Sequence, residues 1–425
     1  MNEMPGAATA AYGRRGAVVA PTAGRACLHA QSATLPGIHI AIYDDLACVE
    51  RAWRAFEPHA DCTVFQNFDY LAAWQKHIGS RAGVAPALVL IRRGDDLLAI
   101  LPLALAGGGW LRRLTWLGLD LSDYLAPLLR NDFTGTISHE QFAALWLEIR
   151  TLLQANPRFR HDLIDLRNMP EFVGGQRNPL VALTATLHPS EGYIATLPGD
   201  WDTFYRARRS SKARRQDRTK LKRLGEIGDV RMITPERRDD IALTIKTLIA
   251  QKSATFARKG ISDKFQRPGY REFFFELALD QRTGEMVHTS ELRVGSMPAA
   301  VSFGLQYRDR YSLCLVSYDE DFSRDSPGAI HLNELMHRAI DRGMHEFDFL
   351  VGSQRLKREW SDRRIPLYDH IAAATTRGWP VAAMSRALSR VKRAIKTSPA
   401  LWDAFVRIRA FAGTLNRRRG AESED

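Results

Sequence analysis

The residues best placed for chemistry lie between 317 and 330, where a predicted strand ends and a predicted helix begins. Serine is a favoured N-cap and proline a favoured first helical residue, so Ser326-Pro327-Gly328 predicts a helix start. The backbone amides of a first helical turn can bind an anion, and a glycine there lets a phosphate approach closely. An ordinary capped helix is the alternative. We therefore predict an anion site on Ser326, Pro327, Gly328, Ala329 and Ile330.

Three charged residues flank this helix in the sequence. Asp319 follows the strand beside the helix start, where a carboxylate can deprotonate or orient an amine; a turn hydrogen bond is the alternative. Lys357 is predicted to hold a phosphate or a carbonyl oxygen, unless it is a surface lysine. Asp348 alternates with Phe347 and Phe349 along a strand, so its carboxylate lies opposite the two rings and is predicted to pair with an arginine.

Two stretches of similar element order must position these residues. In the first, a helix (68–78), strands (87–91, 97–105 and 111–117), a helix (140–154) and a strand (162–166) follow one another. In the second, the same order is predicted as a helix (271–279), strands (287–294, 298–307 and 311–316), a helix (330–342) and a strand (346–350). The sequence therefore predicts two similar α/β units from a tandem duplication.

The positive charge is concentrated in two segments. The formal net charge is +12, and residues 206–223 and 386–419 each hold ten Lys or Arg against one Asp. The first segment has almost no apolar face, so it predicts a helical arm that projects or lines a groove. The second predicts amphipathic helices, with apolar stripes Met384, Leu388, Val391, Ile395 and Leu401, Phe405, Ile408, Phe411. These helices either pack on the body or lie on an anionic membrane surface.

Composition excludes several classes of protein. With 45% hydrophobic and 25% charged residues in 425, most of the chain is expected to fold as globular domains. No uncharged apolar run reaches the roughly 18 residues of a membrane-spanning helix, and no secretory signal is present, so we expect a cytoplasmic protein. The four cysteines lie far apart and no HxxxH pair occurs, so neither disulfides nor a metal site is predicted.

From about Phe65 to Ala374, the sequence resembles the GNAT-superfamily acetyltransferases associated with cellulose and exopolysaccharide biosynthesis. That group is similar to the Fem peptidyltransferases, which have two tandem GNAT-like domains and a helical arm. The sequence lacks the family's Arg/Gln-x-x-Gly-x-Gly/Ala loop, and residues 326–330 stand in its position. The resemblance rests on Ser122-Asp123-Tyr124, the arginine-rich run 206–223, Lys252, Pro298-Ala299-Ala300, Tyr318-Asp319, Ser326-Pro327-Gly328, Gly343, Phe347-Asp348-Phe349, Gly352, Lys357 and Trp360.

The resemblance implies an α/β (α+β) fold of two tandem GNAT-like units, with a basic helical arm and C-terminal amphipathic helices. We predict a flexible leader (1–37), a first unit (38–190), a linker and arm (191–228), a second unit with the acyl-CoA site (229–378) and a basic tail (379–425). Asp319 and Lys357 are the predicted catalytic residues. Residues predicted to contact the substrates are Asp123, Tyr124, Lys252, Tyr318 and Trp360. For Asp123 and Tyr124 a turn is the alternative.

The implied activity is an acyltransferase that uses acyl-CoA, such as acetyl-CoA, as co-substrate and requires no metal. The acceptor would be a small molecule or a saccharide precursor of the cell envelope. One alternative is an aminoacyl-tRNA-dependent, Fem-like transferase whose arm holds RNA phosphates. Another is a non-catalytic partner of a membrane-bound polysaccharide machine. The C-terminal helices would then place the protein at the inner face of the cytoplasmic membrane.

Overall fold

A computed structural model describes residues 28–352 and 355–398 of the chain. The strands are β1 (Leu28–Gln31), β2 (Ile38–Tyr43), β3 (Ala60–Asp61), β4 (Ala85–Arg93), β5 (Asp96–Ala106), β6 (Arg113–Trp116), β7 (Leu128–Arg130), β8 (Leu163–Pro170), β9 (Phe172–Val173), β10 (Gln176–Arg177), β11 (Thr186–Leu187), β12 (Gly192–Thr196), β13 (Val230–Ile233), β14 (Val287–Val294), β15 (Met297–Tyr307), β16 (Arg310–Tyr318), β17 (Glu346–Val351), β18 (Arg363–Ile365) and β19 (Leu367–Ala373). The helices are α1 (Glu50–Phe56), α2 (Phe68–Trp74), α3 (Phe133–Thr136), α4 (His139–Ala155), α5 (Trp201–Arg208), α6 (Ser211–Ile227), α7 (Arg238–Arg258), α8 (Tyr270–Leu279), α9 (Pro327–Asp341), α10 (Arg355–Trp360) and α11 (Gly378–Thr397).

The strands form two large sheets, one in each unit. The first sheet has ten strands in the order β1-β2-β4-β5-β6-β8-β19-β11, with β7 paired to β5 and β3 paired to β7. The second has seven strands in the order β13-β14-β15-β16-β17-β12-β18. The structure therefore confirms a mixed α/β fold of two units.

The two units repeat one topology. In the first, β4, β5 and β6 pair antiparallel in succession, and β6 pairs parallel with β8 after helix α4. In the second, β14, β15 and β16 pair antiparallel in succession, and β16 pairs parallel with β17 after helix α9. A parallel pair requires a crossover connection, which the helix provides in each unit. This shared order of elements is the one that the sequence predicts.

The unit boundaries differ from the predicted ones at three places. Strand β1 pairs with β2 in the first sheet, so the predicted leader does not extend to residue 37; residues 1–27 lie outside the described part of the chain. Strand β12, within the predicted linker, pairs with β17 and β18 in the second sheet. Strand β19, predicted in the second unit, pairs with β8 of the first sheet. The units are therefore joined by strands as well as by side chains.

One hydrophobic cluster spans both units. It contains Trp53, Phe65 and Trp74 from the first unit and Phe273 and Phe303 from the second, all almost fully buried. At this contact the ring of Tyr70 meets the ring of Phe273 edge to face, with centroids 5.4 Å apart. Burial of apolar surface is the main stabilising contribution to folding, so the two units stabilise each other.

The basic arm is α5 and α6, and it lies along the second unit instead of projecting from it. Leu224 of α6 is fully buried, in a cluster with residues of β14, β15 and α9. Asp217 is also buried, where it accepts hydrogen bonds from the hydroxyl of Tyr205 and the guanidinium of Arg209. Leu224 and Asp217 therefore give α6 a buried face, which the basic composition of the arm does not predict.

Helix α11 packs on the first sheet through small residues. Ala382 and Ser389 are buried, and Ala382 contacts Leu163 of β8 and Ile371 of β19. Met384, Leu388 and Val391 of the predicted apolar stripe face solvent, because close packing on the sheet selects the small side chains. The predicted second helix, at 401–411, lies outside the described residues. Across the described ranges, no helix combines the length and the hydropathy needed to cross a membrane.

Candidate active site at the junction of the two units

Strands β16 and β17 diverge at the centre of the second sheet. They run parallel, but within the described chain they pair only over Arg310–Ser312 and Glu346–Asp348. β16 continues to Tyr318 and β17 to Val351, so the two strands open into a wedge. Leu350 on the wedge has a φ of 60°, in the left-handed region that a leucine rarely adopts. Such local strain is common at functional sites, where the surrounding structure maintains it.

A loop of the first unit closes the wedge. The carboxylate of Asp123 accepts a hydrogen bond from the backbone amide of Val351, over 3.0 Å. The hydroxyl of Tyr124 donates to Oδ1 of Asp348 over 2.9 Å, and the amide of Leu350 donates to the same oxygen over 2.8 Å. Asp123 and Tyr124, which are both predicted to contact a substrate, therefore lie at the junction of the units.

Asp348 is the buried carboxylate of the site. Its side chain is 0% exposed, and its Oδ2 has no hydrogen-bond partner among the described residues. The guanidinium of Arg310 lies 3.7 Å from Oδ2, which confirms the predicted pairing with an arginine. Burial raises the pKa of Asp348 to about 6, although Arg310 and the hydrogen bonds to Oδ1 act in the opposite direction. A carboxylate with this pKa can accept a proton near neutral pH.

Asp348 lines a cavity of about 410 Å³ between the two units. This volume is within the range of small-molecule binding sites, which often lie at domain junctions. The first unit contributes apolar and polar side chains to the lining of the cavity, and the second unit contributes several arginines. The lining includes Cys62, Phe65, Tyr124, Arg308, Arg310 and Arg363.

Lys357 is tied to the end of β17. Its Nζ donates hydrogen bonds to the backbone carbonyl oxygens of Phe349 and of Val351, the latter over 3.0 Å. Burial lowers the pKa of Lys357, and the nearby carboxylates Asp123 and Asp348 oppose that shift. The structure thus gives Lys357 a positioning contact, holding the strand that carries Asp348.

Two further lysines carry positive charge near this group. Burial lowers the pKa of Lys252 to about 8, and repulsion from Lys264, Lys259 and Lys357 adds to the effect. Lys264 lines a smaller cavity of about 60 Å³, together with Asp123 and the thiol of Cys314. Clustered cations of this kind favour an anionic or strongly polarised ligand. The role of Lys252 in substrate binding stays a prediction.

The Cys314 thiol on β16 is not a nucleophile in this environment. Burial raises its pKa, and the charges of Asp123 and Asp348 raise it further. Only the thiolate is reactive, so this side chain acts as a small apolar group. Among the described residues, no group of three or more His, Cys, Asp or Glu side chains could hold a metal ion.

The predicted anion site at the start of α9 has a different local geometry. Ser326 adopts a left-handed conformation with φ 52°, and its side chain does not cap the helix. Its carbonyl accepts from the amides of Ala329 and Ile330, so these two amides already have a partner. Its Oγ accepts from Nζ of Lys220, 3.0 Å away, which brings the basic arm onto the helix start. The arm thus adds a cation where the sequence predicts only amides.

Two other predicted residues flank this helix start. Asp319 caps a 3-10 helix (Glu320–Asp325), because its Oδ1 accepts from the amide of Asp321 over 3.1 Å. That is the turn hydrogen bond given as its alternative role. The ring of Tyr318 is 36% exposed and lies 3.5 Å from where a side-chain carbon at Gly328 would be. The ring of Tyr318 therefore lies directly beside Gly328 at the predicted anion site.

Trp360 does not reach a substrate in this structure. It is 1% exposed and stacks on Phe204 and Tyr205 of the arm, with ring centroids 5.7 and 6.1 Å apart. The guanidinium of Arg209 lies over the same ring at 5.6 Å. Aromatic burial and this cation–π contact assign Trp360 to packing of the arm, which corrects the predicted substrate contact.

Sequence reasoning missed Lys264, Arg310 and the part that Asp348 plays at the junction. Arg310 lies in a turn sequence, Arg308-Asp309-Arg310, that gives no sign of a buried partner. Asp348 was detectable as a charge between two phenylalanines, but its contact with Tyr124 is 224 residues away in sequence. The sequence therefore indicates a buried carboxylate at Asp348, but it does not indicate that Tyr124 is its partner.

Residues 211–358 match the family described as an acetyltransferase (GNAT) domain. The match covers α6, the wedge strands β16 and β17 and helix α9, so it contains the candidate site of the second unit. The first unit repeats the same strand topology, and the predicted fold of two tandem GNAT-like units is confirmed. A comparison with curated proteins gives no match.

Several solved structures are similar in fold. FemX has a TM-score of 0.50 at 10% identity, over 76% of this chain and 98% of its own. A conserved protein of unknown function from Bacteroides thetaiotaomicron has a TM-score of 0.46 at 12% identity, over 79% of this chain and 99% of its own. A tandem GNAT protein from the clavulanic acid biosynthesis pathway has a TM-score of 0.43 at 11% identity, over 80% of this chain and 99% of its own.

Proposed function

We propose that this chain is an acyltransferase that moves an acyl group from acyl-CoA to an amino or hydroxyl group of a small molecule or a saccharide precursor. The match of residues 211–358 to an acetyltransferase domain supports the class of reaction. The observation that carries the proposal is Asp348, a buried carboxylate at a cavity between the units, with one oxygen that accepts no hydrogen bond from the described residues. The link to exopolysaccharide or cellulose biosynthesis stays a prediction.

The donor is proposed to bind across the start of α9 and into the wedge. The diphosphate of acyl-CoA would lie at Gly328, where Lys220 adds a positive charge and Tyr318 provides an aromatic face. The acyl arm would enter between β16 and β17, beyond the residues over which the two strands pair with each other. This arrangement directs the thioester towards Asp348 on β17.

The acceptor is proposed to occupy the 410 Å³ cavity, with its amine or hydroxyl at Oδ2 of Asp348. The carboxylate takes the proton while the acceptor atom forms a bond to the thioester carbonyl carbon. The carbon–sulfur bond then breaks, and the released CoA thiolate takes the proton that Asp348 accepted. The products are an amide or ester and free CoA, and Asp348 is again ionised. In this scheme Asp348 performs the role predicted for Asp319.

The test is a binding and turnover assay on the full-length protein. Scanning fluorimetry against CoA, acetyl-CoA and a tRNA pool should show stabilisation by the first two, since a ligand at 100 times its Kd adds about 2.7 kcal/mol. A panel of amines and sugars with acetyl-CoA should then release free thiol, measured colorimetrically. An unchanged melting temperature with CoA and acetyl-CoA at saturating concentrations would exclude the proposal.

A second candidate is transfer from an aminoacyl-tRNA, favoured by the exposed cations of the arm. Lys212, Arg215, Arg218 and Lys222 are exposed, and no ion pair joins them to an acidic side chain within the described ranges. Such residues can neutralise RNA phosphates and release counterions. Stabilisation by tRNA but not by CoA, with affinity falling steeply with salt, would favour this candidate. Replacing Arg214, Arg215 and Arg218 by alanine should then flatten the salt dependence.

A further inference from the structure

Helix α11 presents large apolar side chains to solvent. Met384, Leu388 and Val391 are 58%, 51% and 55% exposed. Their spacing of four and three residues places them on one side of the helix. The other side is fixed to the first sheet through Ala382 and Ser389, which are buried. We call Met384, Leu388 and Val391 the outer stripe; it is held in place by a helix that is already packed.

The charge of the same helix has one sign. From Ile371 to Trp402 the sequence contains no Asp or Glu, whereas α11 carries five basic residues. Arg390, Lys392 and Arg393 are exposed. An amphipathic helix with an apolar face and only positive charge is typical of helices that lie on an anionic membrane surface. Each such residue near the surface adds to the attraction of acidic lipids.

A groove lies beside the outer stripe. It has a volume of about 440 Å³ and is lined by Arg386 and Arg390, one turn apart on α11, and by Thr184 and Thr186. Ala383 and Ala387 line it as well, each one residue before a member of the stripe. Two guanidinium groups with neighbouring hydroxyls match the hydrogen-bonding needs of a phosphate. The groove therefore has the chemistry to hold a lipid phosphate where the stripe would meet the acyl chains.

An exposed tryptophan lies next in sequence to a residue that packs with α11. Trp110 is 68% exposed, and its neighbour Leu111 packs on the cluster that contains Ala382 of α11. Tryptophan is enriched at membrane interfaces, because its ring is apolar and its N–H is polar. Trp110 is thus an exposed side chain of the interfacial type in the first unit.

We propose that α11 binds the surface of an anionic membrane, with the outer stripe in the interface and the groove holding a phospholipid headgroup. A second copy of the chain is a poor occupant, since two α11 helices would bring like charges together. The sequence after Ser398 continues the apolar spacing, with Leu401, Phe405, Ile408 and Phe411 beside Arg407, Arg409 and one acidic residue, Asp403. This membrane contact would bring the acyltransferase to a lipid-attached acceptor, but the contact itself does not depend on acyl transfer.

The experiment is co-sedimentation of the full-length protein with phosphatidylcholine vesicles, with or without phosphatidylglycerol. We expect recovery with the anionic vesicles, reduced by high salt, and little recovery with phosphatidylcholine alone. Replacing Met384, Leu388 and Val391 together by serine should weaken binding at least about tenfold, a difference of 1.4 kcal/mol. Arg386→Gln with Arg390→Gln should reduce the preference for anionic vesicles, because the groove then lacks its two guanidinium groups. All of these side chains lie on the surface or the groove, so the melting temperature should stay close to that of the parent.

The matched control is Leu147→Ser on α4, where the leucine is 60% exposed in the first unit away from α11. This variant should sediment with anionic vesicles as the parent does. The proposal is wrong if the parent is not recovered, or if the triple serine variant is recovered equally well. It is also wrong if light scattering shows a dimeric parent and a monomeric triple variant, since a second copy then covers the stripe. None of these readouts uses acyl-CoA, so they are independent of the proposed activity.

Discussion

At the scale of single residues, the site depends on one carboxylate that two units bury together. Asp348→Asn keeps an acceptor oxygen for Tyr124 and for the amide of Leu350, but it cannot take a proton. We expect turnover to fall by about 100-fold or more, as for loss of a general base. In the parent, the rate should fall as the pH drops below about 6, and this acid limb should be absent in the variant. A pH profile of initial rates measures both effects.

The same pKa predicts how the stability of the variant compares with that of the parent. The pKa of Asp348 is raised in the folded state, so ionisation of this group costs stability above about pH 6, and the cost disappears below the unfolded value near 4. The stability of Asp348→Asn relative to the parent should therefore increase between pH 4 and pH 7. Denaturant unfolding at several pH values tests the sign. A difference that is constant with pH would show that burial does not raise the pKa of Asp348 in the folded protein.

Asp319 is predicted from the sequence to be catalytic, but in the structure it caps a 3-10 helix. Its position after a strand and before a helix is detectable in sequence, and so is its alternative as a turn cap. Because its Oδ1 caps a 3-10 helix, Asp319→Ala should cost about 1 kcal/mol of stability, typical of a lost cap, and leave turnover almost unchanged. Melting curves and initial rates separate the capping role from the catalytic role. Asp321→Ala is the control at a neighbouring acidic position. A 100-fold loss of rate would return the catalytic role to Asp319.

At the scale of elements, the sequence predicts most of the helices and strands that carry the site. The predicted strand at 287–294 is β14 at the same bounds, and the predicted helix at 271–279 is α8 with one more residue. The 21-residue helix α7 was missed, although Ile241, Ile245, Leu248 and Ile249 have helical spacing. Strands β12 and β19 were missed because they are short or join distant parts of the chain. Local periodicity thus predicts elements, whereas exchange of strands between sheets depends on contacts that no local pattern encodes.

The start of α9 is the element whose role can be tested separately from folding. Gly328→Glu places a carboxylate beside Tyr318, where the diphosphate of acyl-CoA is proposed to bind. A negative charge in the first turn stabilises a helix, so the fold should be retained. We expect CoA affinity to fall at least about tenfold by steric exclusion and repulsion, measured by calorimetry. Gly135→Glu, at an exposed glycine of the first unit with no neighbour within 4 Å, should bind CoA as the parent does.

At the scale of the whole molecule, the two units should unfold together. Their shared hydrophobic cluster and the pairing of β19 with β8 join the two units through extensive buried contacts. We therefore expect a single calorimetric transition, with equal calorimetric and van't Hoff enthalpies, instead of the two that independent domains give. Two resolved transitions would show that the junction is weaker than its buried contacts indicate.

The junction itself can be tested through Gly192 of β12. A side-chain carbon at this position would lie 2.3 Å from the hydroxyl oxygen of Tyr124, so the strand can pass only because the residue is glycine. Gly192→Ala should cost about 1 to 3 kcal/mol by overpacking, and it should lower activity by displacing Tyr124 from Asp348. Gly199→Ala, with open space around it, is the control and should be close to neutral.

The decisive comparison for the junction is the double variant Gly192→Ala with Tyr124→Phe. Tyr124→Phe alone removes the hydrogen bond to Asp348, at a cost of about 1 kcal/mol, and should raise the pKa of Asp348 because that bond lowers it. Tyr124→Phe also removes the oxygen that the alanine would meet. The double variant should therefore lose less stability than the sum of the losses of the two single variants, with a coupling of about 0.5 to 3 kcal/mol. Denaturant unfolding of all four proteins measures this coupling. Strict additivity would mean that the alanine is accommodated by movement of β12, and that contact between the two units does not determine the geometry of the site.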